Sequence, residues 1–172
     1  MAVRDHRQHG GNDGYDDDVD RYYSWDSTVP NHEKIAEGDV VVLWDKVTLL
    51  GAAVVDRIER GTQDKVRRSC PQCGLASLKA RTTKSPRWKC FKCGATFDVP
   101  SERVYNVRTY RAHYSETWVG LEGLLSAPEV RAVCKAPRSQ LSLRELDWER
   151  FRRSIERSGG LPRLELLARR SL

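Results

Sequence analysis

The 172-residue chain contains no run of eighteen or more apolar residues, and no charged-then-apolar leader follows Met1. Neither a membrane-spanning helix nor a secretory signal is therefore expected, which points to an intracellular, reducing compartment. Histidine is scarce: His6, His9, His32 and His113 are scattered along the chain. No nucleophile, paired carboxylates or open metal-ligand set stands out, so the chain is expected not to be an enzyme.

Cysteine is equally sparse but strongly patterned. Four of the five cysteines, Cys70, Cys73, Cys90 and Cys93, form two Cys-x-x-Cys pairs separated by the sixteen residues 74–89. That spacing lets four thiolates close a tetrahedron around one zinc ion. Each pair is followed by a glycine, Gly74 or Gly94, which can take the positive φ that turns backbone amides towards the sulfurs. The competing readings are two disulfides or a redox dithiol. The rest of the chain resembles no small secreted disulfide scaffold, and no thioredoxin-like βαβ pattern surrounds either pair. With sulfur at all four positions no site is left for a catalytic water, so the zinc is structural. Cys134 stands alone and reads as a small buried hydrophobe.

The formal charge of +6 conceals an asymmetry, since residues 1–20 hold six aspartates against Arg4 and Arg7. The remainder carries 28 basic and 18 acidic side chains. A body of that balance suits a polyanion, nucleic acid first. The acidic stretch 1–20, rich in Gly, Asp, His and Asn, is expected to be disordered.

Strand signals follow at residues 22–27 (YYSWDS), at the β-branched run 40–44 (VVVLW), and at 49–58 (LLGAAVVDRI), where Gly51 marks a bulge or close approach. The zinc segment, 68–98, reads as an insertion, after which residues 102–114 resume the sheet. Ser126, Pro128 and Glu129 make a capping-box helix start, and Pro137 blocks continuation. Residues 139–144 alternate like an exposed strand. A helix then begins at about Asp147 with Trp148, Phe151 and Ile155 on one face, and Gly159-Gly160 ends it. The amphipathic segment 159–172 either packs late or contacts another chain.

This series of aromatic first strand, Gly-Asp-led strand, Leu-Gly-Ala strand and late Arg-Ser-Gln-Leu-Ser-Leu segment before a Trp-containing helix resembles the PUA-like superfamily. Within it, residues 22–158 are similar to EVE-type domains that read modified bases, above all the amino-terminal modules of modification-dependent HNH endonucleases from actinobacteria. The resemblance implies an α+β fold: a small twisted β-barrel with flanking helices over residues 21–158, carrying the inserted zinc ribbon. It further implies a DNA-binding reader of 5-methylcytosine or 5-hydroxymethylcytosine that flips the base into an aromatic pocket. Such a protein would work in the bacterial cytoplasm, at the nucleoid. The four histidines form no HNH pattern, so cleavage is not carried over; what remains is binding, either as a stand-alone reader, with any nuclease acting in trans, or as a module cut from a longer protein.

The expected pocket is built by Tyr23, Trp25, Trp44 and Trp118 as aromatics, Asp26 or Asp45 as acceptor at the rim, and Ser139, Gln140 and Ser142 as hydrogen-bonding groups. Strand alternation places Tyr23 and Trp25 on one face together. The phosphate backbone would meet Lys46, Arg57, Arg108, Arg111 and Arg138, together with Lys79, Arg81, Lys84 and Arg87 of the ribbon. Two rival readings use the same residues: an RNA-binding PUA-like module, and a zinc-ribbon adaptor that docks another protein through the leucines after Leu161.

Overall fold

In the computed structural model, which describes residues 17–170, nine strands and three helices follow one another. The strands are β1 (Tyr22–Asp26), β2 (Val40–Trp44), β3 (Leu49–Val54), β4 (Arg57–Ser69), β5 (Leu78–Ala80), β6 (Trp88–Cys90), β7 (Thr96–Phe97), β8 (Ser101–His113) and β9 (Val119–Gly120). The helices are α1 (Ala127–Ala132), α2 (Trp148–Arg157) and α3 (Leu161–Arg170). The chain is α+β and divides into two compact units, one formed by the residues up to Gly61 and from Arg108 onwards, the other by Thr62–Val107. No helix among the described residues is long and apolar enough to cross a membrane.

The first unit is organised by β2, whose residues 41–44 are buried on both faces. Such a strand must have a hydrophobic layer on each side. On one side Val42 and Trp44 join Leu49, Ala52, Val119 and the helical residues Val130, Phe151, Ile155, Leu164 and Leu167. On the other, Val41 and Leu43 join Leu50, Ala53, Tyr23, Trp25, Tyr110 and Tyr114. The sheet β2-β3-β9 is thus the middle layer between the helices and the strands β1 and β8. Each large apolar side chain fully buried in these layers contributes about 1.5–3 kcal/mol.

Local chemistry sets the element ends. Glu129 Oε2 accepts the Ser126 amide at 2.7 Å, so the expected capping box forms and starts α1. Asp147 Oδ1 accepts the Arg150 amide at 3.0 Å at the start of α2. Gly159, at φ 72°, ends that helix. Gly51 is a close approach, as its place in the sequence suggests: a Cβ there would lie 2.3 Å from the Trp118 ring.

Several expectations are corrected. The strand orders β1-β8-β4 and β2-β3-β9 leave open sheets, and no closed barrel is found among the described residues. The expected strand at 139–144 does not form. Its polar groups bond locally instead, with the Leu141 amide on Ser139 Oγ and Arg144 Nε on the Leu141 carbonyl. The expected strand 49–58 breaks after Val54, where the Val55 and Asp56 amides turn to the carbonyls of Asp39 and His113. Residues 159–172, set apart in the sequence as a C-terminal extension that either packs late or contacts another chain, take the first course over 161–170: Leu164 and Leu167 of α3 complete the helical core of the body. Residues 17–20 turn back onto β1, with Asp17 Oδ1 accepting the Ser24 amide at 2.8 Å. The rest of the expected disordered tail, residues 1–16 with His6 and His9, lies outside the described residues, as do 171–172.

The second unit extends beyond the expected 68–98 because β4 and β8 are each thirteen residues long and enter it with mostly exposed side chains. Arg68 bonds Glu102 at 2.8 Å, and Asn106 donates to Asp64 at 3.1 Å between them. Beyond them β5-β6-β7 forms a small antiparallel sheet. Neither hydrophobic cluster contains a residue of 62–107.

Candidate metal centre and nucleic-acid interface

The two Cys-x-x-Cys turns fold alike. Gly74 donates its amide to the Cys70 carbonyl at 2.8 Å, and Gly94 donates to Cys90 at 3.0 Å. Both glycines have positive φ, 72° and 77°, as the spacing argument requires. The Cys70 and Cys90 amides close the turns on the carbonyls of Leu75 and Ala95. The result brings the four sulfurs within 4.8 Å of one another, with Cys70 to Cys93 and Cys73 to Cys90 each at 3.7 Å.

A tetrahedron with metal–sulfur arms of about 2.3 Å has edges of about 3.8 Å, so the cluster can hold one metal ion. The thiol chemistry agrees. Amides of Cys93 and Lys92 directed at Cys90 bring its pKa down to about 7. At Cys73 the amide of Leu75 acts in the same direction, but desolvation and the neighbouring thiols outweigh it and push the value up to about 12. Four thiolates so close together repel one another, and a divalent cation at their centre removes that obstacle.

Around this cluster the unit is strongly basic. Residues 62–107 contain ten lysines and arginines and only three acids, Asp64, Asp98 and Glu102. Those acids are engaged: Glu102 with Arg68, Asp64 with Asn106, and Asp98 with the Arg87 amide. Lys79, Lys84, Lys89 and Lys92 are exposed and have no carboxylate partner among the described residues. Arg87 is exposed, its guanidinium 5.9 Å from the Trp88 ring. Arg81 differs from the expectation, because its fork is turned onto the Pro86 carbonyl and braces the loop. Phe91 is 63% exposed between Cys90 and Lys92, an aromatic that sequence reasoning passed over.

In the first unit Lys46, Arg57 and Arg138 are exposed as expected. Two other arginines are corrected. Arg108 forms an ion pair with Glu33 at 2.8 Å, and Arg111 lies over the Tyr22 ring at 4.6 Å with its Nε on Ser24 Oγ. Arg111 is thereby held against the fold, whereas Arg108 remains 60% exposed in a surface ion pair.

The expected base pocket is not assembled. Tyr23 and Trp25 are each 1% exposed, and Trp25 stacks on Tyr110 with centroids 5.4 Å apart while its Nε1 donates to the His32 carbonyl. No ring face remains for a base. Asp26 is fully buried and accepts from the Thr28 amide and hydroxyl. Asp45 caps its own turn, accepting the amides of Val47 and Thr48. Trp118 covers Gly51 and stacks on Tyr114. Ser139 Oγ accepts the Leu141 amide, and neither Ser139 nor Gln140 lines the cleft beside Trp44. The alternation rule grouped Tyr23 with Trp25 correctly; the face they share is the core.

Trp44, only 7% exposed, and Ser142 both line a cleft of about 410 Å³ between β2 and the chain from Cys134 to the start of α2 at Trp148. Its wall also includes Val42, Val130, Cys134, Leu143, Leu146 and Trp148. Trp148, expected in the core, is instead 37% exposed and rests on Phe151 at 5.7 Å. Arg144 lies over Trp44 at 5.5 Å, and Arg131 approaches the same ring at 5.6 Å. At the rim Glu145 holds Lys34 at 3.2 Å and Lys135 at 3.1 Å, which keeps its carboxyl below the usual range. Arg144 and Trp148 were not legible as a pair: they are four residues apart, but Arg144 lies in irregular chain before α2, where no helical or strand period applies. No protein family, curated protein or solved structure matches the chain.

Proposed function

We propose that the chain is a zinc-stabilised, DNA-binding reader of modified cytosine, 5-methyl or 5-hydroxymethyl, that takes the flipped base into the Trp44–Trp148 cleft. The single observation that carries the reading is the concentration of ten basic against three acidic side chains in the unit stapled by Cys70, Cys73, Cys90 and Cys93. Exposed lysines without carboxylate partners release counterions when they meet phosphates, and each such contact steepens the salt dependence by about 0.9. Zinc suits the all-sulfur set, which leaves no position for catalysis.

The cleft supports the base-reading half. It falls within the size range of small-ligand sites, about 300–1,000 Å³, and offers aromatic and aliphatic walls with Ser142 as a polar group. An added methyl that fills apolar space gains about 1 kcal/mol, roughly fivefold in affinity. Support comes from the basic unit and the cleft and not from the fold, because the barrel that the PUA-like resemblance implies is not closed among the described residues. The chain itself would not cut DNA; a nuclease partner would act in trans, in the bacterial cytoplasm.

Gel shifts of methylated, hydroxymethylated and plain duplexes at two salt concentrations, with structured RNA as competitor, test this. The expected result is a preference of about fivefold for a modified duplex and weaker binding to all duplexes at high salt. Equal affinity for all three duplexes refutes the reader, and preference for the RNA transfers the site to RNA recognition.

A further inference from the structure

We infer that the cleft takes a whole nucleotide, with the phosphate on Arg144, to which Arg131 adds positive charge from beside the same Trp44 ring without lining the cleft, and the base against Trp148. This deepens the proposed function and rests on it for the identity of the base.

The observation behind it is an unmatched cation. Arg144 Nη1 is out of contact with solvent and has no hydrogen-bond partner among the described residues. Its Nε is fixed on the Leu141 carbonyl at 2.6 Å, so the guanidinium is held in place rather than free to turn outwards. The Cys134 thiol beside it is a poor acceptor and faces the Val130 carbonyl at 3.5 Å. Arg131 adds a second guanidinium over the same tryptophan. Burial, and next the nearby charge of Arg131, hold the Arg144 pKa below its ordinary value.

No carboxylate relieves this. Glu145 is taken by Lys34 and Lys135, and Asp39, which also lines the cleft, accepts the Ala36 amide at 2.8 Å. A buried N–H of a charged group left without an acceptor is costly, and two adjacent arginines repel. An anion with several acceptor oxygens corrects both defects at once, and a phosphate matches the arginine fork. The apolar side chains Leu143, Leu146 and Trp148 would be wasted on a bare inorganic ion but suit a flat base attached to the phosphate.

The phosphate could belong to a free nucleotide or to a strand, and the test separates them. The intrinsic tryptophan fluorescence of the full chain is titrated with 5-methyldeoxycytidine monophosphate, the corresponding nucleoside, inorganic phosphate, and a short single strand carrying one 5-methylcytosine. The monophosphate is expected to bind at least tenfold more tightly than the nucleoside, and Arg144→Gln to abolish that gap. Arg144→Lys retains charge without the fork and should recover only part of it. Arg131→Gln is a second variant, less exposed to loss of folding, and should narrow the gap. If only the strand binds, and Arg144→Gln weakens it tenfold, the phosphate is a strand phosphate. Measurable and equal binding of nucleotide and nucleoside, strand binding that Arg144→Gln leaves intact, or an unchanged gap in a folded Arg144→Gln protein overturns the inference. A duplex preference that survives Arg144→Gln would overturn it while leaving the reader intact. Nucleotide binding without any duplex preference would do the reverse.

Discussion

Removing the metal should unfold the basic unit and leave the layered body standing. The reasoning starts from what residues 62–107 lack: neither hydrophobic cluster includes any of them, and the strands β5, β6 and β7 are only two or three residues long. A unit of this size without a core needs a staple. Metal binding to four thiolates supplies about 10–16 kcal/mol at neutral pH, far more than such short strands can provide. Hydrogen exchange reads the result amide by amide. With metal bound, the amides of Cys70, Gly74, Cys90 and Gly94 are held by the turn carbonyls and that of Phe91 by the Ser77 carbonyl, and all five should exchange slowly. After chelation, or in Cys73→Ser, loss of even about 4 kcal/mol accelerates them about a thousandfold. Amides of β2 and β3 should change little. Because the ligands must be deprotonated, acidification should release the metal and produce the same pattern. Unchanged protection of the turn amides after chelation, or fewer than one metal per chain by native mass spectrometry, would refute the reasoning.

Trp25→Ala should destabilise the first unit by about 3–5 kcal/mol in denaturant melts, as expected for a ring stacked in the core, and a loss under 1 kcal/mol would contradict that placement. Gly51→Ala places a methyl 2.3 Å from the Trp118 ring and 2.6 Å from the Val119 carbonyl oxygen and should cost about 1–3 kcal/mol or more; Trp118→Ala in the same chain should recover only the ring's share in a double-mutant cycle, because the backbone clash stays. Glu145 has its pKa lowered from 4.5 by Lys135 and Lys34. Its contribution is therefore present above the unfolded value and lost as pH falls through the lowered one, so Glu145→Gln should flatten the stability profile on the acid side of about pH 4.5. The pair is exposed, so high salt should weaken the difference.

What could be read from the sequence was whatever local chemistry decides. Cys70, Cys73, Cys90 and Cys93 were legible because their spacing alone brings sulfurs together, and the Ser126–Glu129 box and the Asp147 start because capping acts within one turn. The run 40–44 was legible because only a strand between two layers is apolar throughout. Harder were features set by partners distant in sequence. Alternation placed Tyr23 with Trp25, but whether their face meets a ligand or Tyr110 depends on the register of β1 against β8. The outer parts of β4 and β8 are exposed, so no hydrophobic period announces them. The segment 139–144 alternates like a strand yet makes no ladder, and its Arg144 is informative only because burial removed its partners.

The most direct test of the central claim is the affinity ratio between a modified and a plain duplex, measured by fluorescence anisotropy for the natural chain and for Trp148→Ala. A base held in the cleft predicts a ratio of about five that falls to one in the variant. A ratio of one in the natural chain, or one that Trp148→Ala leaves at about five, would contradict it.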